Sequence, residues 1–395
     1  MCPSTLRAVR RLRPILPKRY VVVHGFYGAG NVGDEAILAA TLDEVRRVTD
    51  LEPYVFAWDA RRVREEFGVR SLNPNRVRNA RLAHVLLRSR AYLLGGGGLL
   101  KDYGGSSASL ERWLRWPELA GRLKIKTMLW SVGVENVLFE ASRGRICEVL
   151  SNVDVVTVRD EGSRARLREI GVARPVEVTA DPVPHLAAPY RRRRPRTRSG
   201  PLRVAVCLRH WYTSHNAVAD EAAFERLLTA LAGGLDDICK RHGGEVTFIP
   251  FRTAPGDDDR LVSRSVAERM RSGRFRLVDG DYPTVDETLY EVARADLVVS
   301  MRLHGAVMAT SMGIPTLSIA YMPKVADYME SIGQKSFCAA VPDVSADWLS
   351  ARAGAALADE ESLASQLRDS AEILSGRFLR NGALLADLLE KPEVA

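Results

Sequence analysis

The stretch Tyr20-Val21-Val22-Val23-His24-Gly25-Phe26-Tyr27-Gly28-Ala29-Gly30-Asn31-Val32-Gly33-Asp34-Glu35 decides the fold. Residues 20–23 form a short apolar, β-branched run that stops at clustered glycines. Ala36, Ile37, Leu38, Ala39 and Leu42 follow at helical spacing, so the order is strand, tight turn, helix. Such a turn leaves backbone N–H groups at a helix N-terminus, where they suit a phosphate or a carboxylate. Gly28-x-Gly30-x-x-Gly33 has the dinucleotide spacing, but Asn31 and Asp34-Glu35 put polar and acidic groups where a pyrophosphate would sit. A tight βα turn and an anion site both stay open as readings of this loop.

The same alternation continues along the chain. Strands are expected at 20–24, 52–57, 91–94, 126–132, 153–158 and 176–178, and again at 203–208, 245–250, 275–277, 297–300 and 316–320. Helical segments intervene, among them 221–242 and 263–272. A chain of 395 residues exceeds what one core usually supports, and two domains are expected. The clearest linker is the Pro-, Arg-, Ser- and Gly-containing stretch around 189–201. The expected plan is a basic segment at 1–19, a Rossmann-like domain at 20–190, an Arg-rich linker at 191–200 and a second Rossmann-like domain at 201–395. The fold class is therefore α/β, with two doubly wound domains facing a cleft and ligands bound beyond the carboxyl ends of the strands.

Composition narrows the function. With 46% hydrophobic and 27% charged residues the chain is ordinary for a soluble globular protein. The apolar stretch 297–322 contains Arg302 and His304 and is broken by Pro315, so it is not a membrane span. The N-terminus lacks the apolar core of a signal peptide. Cys2, Cys147, Cys207, Cys239 and Cys338 are dispersed and odd in number, which fits a reducing cytoplasm better than a disulfide framework or a zinc site. The net charge of +8 is concentrated in the N-terminus and in Arg191–Arg194, Arg196 and Arg198, without aromatic interleaving; no nucleic-acid partner is expected. Neither a P-loop nor a Gly-x-Ser-x-Gly elbow is present, which argues against a P-loop kinase and an α/β-hydrolase.

A second informative segment is Ser300-Met301-Arg302-Leu303-His304-Gly305, with Tyr321-Met322-Pro323-Lys324 beyond it. Residues 297–300 read as a buried strand, so Arg302 and His304 lie at its exit, before a helix expected at 305–311. Histidine suits proton transfer near neutrality, and arginine offers a planar fork for carboxylate or phosphate. Lys324 follows the next strand, and neighbouring strand ends bring the two segments to one ligand.

Other loops add candidates. Gly95-Gly96-Gly97-Gly98-Leu99-Leu100-Lys101-Asp102 follows a strand and permits close backbone approach at Gly96 and Gly97, or simply a flexible turn. Arg159-Asp160 ends another strand, where Arg159 holds an anion or pairs with its acidic neighbours. Asp181-Pro182 sets an acid at a strand exit, to orient a sugar hydroxyl or cap a turn. Arg209-His210-Trp211 offers a cation, a titratable ring and an apolar face for a sugar ring. Asp257-Asp258-Asp259 reads as a solvated helix start.

Taken together, the segments resemble the polysaccharide pyruvyl transferase family, to which bacterial cell-wall pyruvyl transferases belong. The resemblance spans roughly residues 20–330, in Gly25–Ala36, Gly95–Asp102, Thr157–Asp160 with Ser163, Ala180–Pro182, Ser300–His304 and Pro323–Val325. It implies a GT-B-like fold, phosphoenolpyruvate as donor and a sugar acceptor, with a pyruvate ketal as product. The acceptor would be a cell-envelope or exopolysaccharide glycan or its lipid-linked precursor. The resemblance places His304, Lys324 and Arg159 at catalytic positions. Gly28, Asn31, Asp34, Gly96, Gly97, Asp181, Arg209 and Arg302 make up the substrate-binding candidates. No metal and no cofactor beyond the donor is required. Glu135-Asn136 stands where relatives commonly have Gly-Pro, which sets the acceptor apart. The basic N-terminus would suit a lipid-diphosphate substrate, giving a cytoplasmic protein with peripheral contact at the inner membrane face. The alternative is a GT-B nucleotide-sugar-dependent glycosyltransferase; its ribose-holding acid is missing from 306–313.

Overall fold

Residues 16–102, 107–191, 200–211 and 220–391 are described by a computed structural model. Most of the basic N-terminal segment and of the Arg-rich linker lies outside the described residues. The described residues divide into two compact units. The first takes those of Met1–Ala29, Asp34–Pro182 and Leu374–Ala395, the second those of Gly30–Gly33 and Val183–Ile373.

In chain order the first unit holds β1 (Tyr20–His24), most of α1 (Val32–Val48), β2 (Glu52–Phe56), α2 (Ala60–Phe67), β3 (Arg70–Leu72), α3 (Asn79–Leu87), β4 (Ser89–Gly95) and β5 (Gly98–Leu100). It continues with α4 (Ala108–Arg122), β6 (Lys126–Val134), α5 (Glu140–Leu150), β7 (Val155–Val158), α6 (Glu161–Ile170) and β8 (Glu177–Val178). Its sheet runs β3-β2-β1-β4-β6-β7-β8, with β5 paired to β6, and the pairings are parallel. The winding direction reverses between β1 and β4, so the Gly28 loop and the Gly95–Gly98 run meet at the switch point. All five residues of β1 and all nine of β6 are buried, as strands covered on both faces require.

His24 is a core histidine. Burial and the nearby Arg115 push its imidazole down to about 3, and Nδ1 lies 2.6 Å from the Tyr92 hydroxyl. Gly96 and Gly97 have φ of 73° and 75°, and a Cβ on Gly96 would collide with Ile37 of α1. The glycine run is therefore demanded by close helix packing, whatever else it does.

The second unit holds α7 (Val183–Leu186), α8 (Ala188–Arg191), β9 (Arg203–Cys207), α9 (Glu221–His242), β10 (Glu245–Phe248), β11 (Thr253–Ala254), β12 (Asp257–Asp258), α10 (Asp259–Ala267) and β13 (Phe275–Leu277). There follow α11 (Val285–Ala293), β14 (Leu297–Ser300), α12 (Leu303–Ser311), β15 (Thr316–Ala320), α13 (Pro323–Ser331), β16 (Cys338–Ala340), α14 (Ala346–Ala358) and the first part of α15 (Glu360–Glu390). The main sheet is parallel in the order β13-β10-β9-β14-β15-β16, the same doubly wound plan, with its switch point between β9 and β14. The two-sheet α/β architecture expected from the sequence is the one observed.

From Leu374 onward α15 belongs to the first unit. There Asn381 is fully buried, donating to Ser131 Oγ (2.9 Å) and accepting from Thr157 Oγ1 (2.6 Å). Ser131 has a φ of 50°, and these bonds with Thr157 and Thr179 hold that backbone in place.

Candidate functional site

Loops beyond the carboxyl ends of β9, β14 and β15 gather the charged residues of the second unit. Arg209 follows β9, Arg302 and His304 follow β14, and Tyr321 and Lys324 follow β15. The three strands are neighbours at the switch point. The Cys207 carbonyl accepts from the backbone N–H groups of Met301 (2.9 Å) and Arg302 (3.3 Å), which stitches the β14 exit to the end of β9. Helix α12 begins two residues earlier than its expected start, and Arg302 occupies its N-cap. Pro323 opens α13 at a position whose N–H has no helical partner anyway, and so sets Lys324 in the first turn.

Arg302 is buried, and its Nε donates to Asp259 Oδ2 at 2.9 Å while Nη2 donates to Oδ1. Asp257 stands 3.5 Å from Nη2. Burial opposes the charge on Arg302, but Asp259 outweighs it and holds the guanidinium above its ordinary value. Asp259 also accepts the backbone N–H groups of Phe251 (2.9 Å) and Arg252 (3.0 Å). The expectation of a solvated acidic helix start therefore needs correcting. Asp258 does cap α10, accepting from Arg260 N at 2.9 Å, but Asp259 is fully buried as the partner of Arg302.

The Arg209 guanidinium lies 4.5 Å from the Tyr321 ring centre, and the Lys324 ammonium lies 5.9 Å from it. Burial would raise the Tyr321 phenol. Lys324, Arg209 and Arg302 overcome that and bring it down to about 8. An acid shifted down in the folded state contributes stability that grows as pH rises from about 8 toward the ordinary 10.0, and that is lost as pH falls through 8. We expect wild type minus Tyr321→Phe to show a phenolate absorbance step near pH 8, displaced upward in Lys324→Ala. A step near the ordinary tyrosine value in wild type would deny the cationic field.

The segment Gly30–Gly33 packs within the same unit. Val32 N donates to the Phe251 carbonyl (2.9 Å), and Asn31 forms an antiparallel bridge with Arg252. Asn31 Oδ1 accepts from Gly33 N at 3.2 Å. A Cβ on Gly33 would collide with the His304 imidazole, so the missing side chain is what admits that ring. Gly30, at a φ of 72°, faces Tyr282 in the same way. Asn31, Arg302 and His304 thus share one neighbourhood with residues 251–259.

In the first unit, Gly28 adopts a φ of 69° and donates its N–H to Glu35 Oε1 at 2.8 Å. Burial, with Glu66 and Asp34 nearby, pushes the Glu35 carboxyl up to about 8. A Cβ on Gly97 would stand 2.9 Å from Asp34 Oδ1. Arg159 is buried against Gly133, and its Nε donates to Asp160 Oδ2 at 2.9 Å. Burial works against its charge, but Asp160, Asp181 and Glu135 prevail and hold the guanidinium above its ordinary value. Glu135 also lies 3.5 Å from Lys101 Nζ. Arg159 and Asp181 therefore share an acidic cluster. Sequence reasoning gave no role to Tyr321 and saw no partner for Asp259; the only local hint was an aromatic residue just before Pro323-Lys324.

Among the described residues no group of three His, Cys, Asp or Glu side chains is arranged to hold a metal ion. Nor is any described helix long and apolar enough to cross a membrane.

Solved structures similar to this chain include UDP-GlcNAc 2-epimerase from Neisseria meningitidis bound to UDP-GlcNAc, with a TM-score of 0.60 at 13% identity, covering 95% of this chain and 100% of that one. A glycosyltransferase from Rickettsia africae ESF-5 gives 0.59 at 11%, covering 95% and 100%. The UDP-GlcNAc 2-epimerase of Methanocaldococcus jannaschii gives 0.55 at 10%, covering 85% and 92%. At these identities the likeness establishes a GT-B-like fold. No curated protein matches the chain. The polysaccharide pyruvyl transferase family model matches residues 31–322, a span that holds Asn31, Arg159, Arg302, His304 and Tyr321, and the chain belongs to that family.

Proposed function

We propose that the protein transfers the pyruvyl unit of phosphoenolpyruvate onto a sugar of a cell-envelope or exopolysaccharide glycan, or of its lipid-linked precursor, as a cyclic ketal. The observation that carries this reading is the convergence of Lys324, Arg209 and Arg302 on Tyr321, strong enough to bring a half-buried phenol down to about 8. The same field suits a small ligand carrying both phosphate and carboxylate. Lys324 and Arg209 are assigned to the donor, and Arg302, held by Asp259, to positioning the loop.

One acceptor hydroxyl adds to C2 of the enol ester and the C3 methylene takes up a proton, becoming methyl. The C2–O bond to phosphate then breaks, and a second hydroxyl closes the ketal. Of the two hydroxyl protons, one ends on C3 and one on phosphate, so the sum is donor plus diol giving ketal plus inorganic phosphate. His304 is assigned the transfer between hydroxyl and methylene, since imidazole exchanges protons near neutrality. This chemistry runs without a diphosphate leaving group. Arg159 is assigned to ordering Asp160, Asp181 and Glu135.

Phosphoenolpyruvate should raise the melting temperature of the wild type, UDP-GlcNAc and inorganic phosphate should do so less, and Lys324→Ala should abolish the phosphoenolpyruvate shift. A shift with UDP-GlcNAc and none with phosphoenolpyruvate would replace this reading by nucleotide-sugar transfer.

A further inference from the structure

A groove of about 1000 Å³ lies between α3 and α4 of the first unit, opening toward the loops that follow β2 and β3. None of the family-motif residues lines it. Leu82, Trp116 and Leu119 contribute apolar surface, Trp58 enters from the loop after β2, and Asn75 and Asn79 supply amides. The loop carrying Trp58 is fixed from two sides. Its backbone N–H donates to the Tyr27 carbonyl at 2.8 Å, and its carbonyl accepts from Asn73 Nδ2 at 2.8 Å.

The charges in the groove are uneven. The Arg112 guanidinium lies 5.1 Å from the Trp58 ring centre, and that of Arg115 lies 4.9 Å from the Trp116 ring centre. Arg115 also donates to Asn75 Oδ1. Among the described residues, no carboxylate stands within ion-pair distance of either arginine. The groove's two acids are otherwise engaged: Glu118 binds Arg122 and Arg145, and Glu111 binds Arg145 at 3.0 Å. Two exposed guanidinium groups, three residues apart on α4, are thus laid over indole rings with their charge uncompensated. Ring stacking holds such forks ready for an anion and lessens the side-chain ordering that binding would otherwise require.

We propose that this groove binds an acidic saccharide. The half-buried Trp58 indole takes the apolar face of a sugar ring, Asn75 and Asn79 meet hydroxyls, and Arg112 with Arg115 grips a carboxylate or phosphate on the sugar. The proposal rests on the reading that the enzyme acts on a glycan, and it gives that glycan a negative charge.

The test is binding to the full-length protein without any donor, followed by tryptophan fluorescence and calorimetry. The probe is trigalacturonate, with maltotriose as neutral control and inorganic phosphate as bare anion. Trigalacturonate should perturb the fluorescence and bind more tightly than maltotriose. Arg112→Ala with Arg115→Ala should weaken it by about tenfold or more, the loss expected for a charge-assisted contact. Trp58→Ala should also weaken it. Both arginines are exposed, so the double variant should keep the wild-type melting curve. Lys324→Ala should bind trigalacturonate normally, which separates failure of this site from failure of the donor assignment. Binding that survives the double arginine change, or that maltotriose or phosphate matches, overturns the proposal, as does no binding of trigalacturonate at millimolar concentration.

Discussion

Replacing His304 by alanine is expected to cut turnover by about 10²–10⁴-fold, the usual contribution of a positioned proton-transfer group, while leaving the melting curve close to wild type. The imidazole is half-buried at the start of α12. Release of phosphate from phosphoenolpyruvate, with pyruvylated glycan as the matched product, is the measurement. Turnover within a few-fold of wild type in His304→Ala would remove the assignment. Gly33→Ala is the companion. Alanine normally favours a helix over glycine by about 1 kcal/mol. Gly33 is the second residue of α1, so on propensity alone this variant should be at least as stable. Its Cβ would, however, collide with the His304 ring. Activity should therefore fall without a parallel gain in stability. If it does not, the packing of that ring is irrelevant to the reaction.

The parts of the fold that sequence makes legible are those where one local pattern suffices. β1, β14 and β15 are short apolar runs buried on both faces and closed by polar or glycine-rich turns. The strands left unread, β3, β5, β11, β12 and β16, have two or three residues each and carry exposed or half-buried positions, so no periodicity distinguishes them from loop. The candidate site divides the same way. Arg302, His304 and Lys324 can be placed because each stands just past a recognisable strand, and strand order does the rest. Asp259 cannot, because its partner Arg302 lies 43 residues away and an acidic run before a helix looks like an exposed cap. The acidic surroundings of Arg159 come from Glu135 and Asp181, again on separate loops. Trp58 and the arginines of α4 read as an ordinary amphipathic surface until α3 and α4 stand side by side.

Asp259→Ala should destabilise the second unit by roughly 3–5 kcal/mol, the cost of stripping one partner from a buried ion pair. Burial lifts the Asp259 carboxyl even against the pull of Arg302 beside it. Four donors nonetheless converge on it: two from Arg302 and one each from Phe251 and Arg252, so the pair is read as ionised. Removing it would leave a guanidinium that is only 7% exposed, with Asp257 at 3.5 Å as the remaining acid. A loss of that size should lower the melting temperature by roughly 10 °C for a unit of this length. Arg302→Met on top of Asp259→Ala should recover part of the loss, because the uncompensated charge goes with it. Recovery should stay incomplete, since Phe251 and Arg252 would still have unsatisfied backbone N–H groups. Those two residues also hold Val32 and Asn31, so the double variant should remain impaired in donor binding even where its stability returns. A loss below about 1 kcal/mol in Asp259→Ala, the scale of an exposed ion pair, would mean that the Arg302–Asp259 pair is solvated and does not support the site.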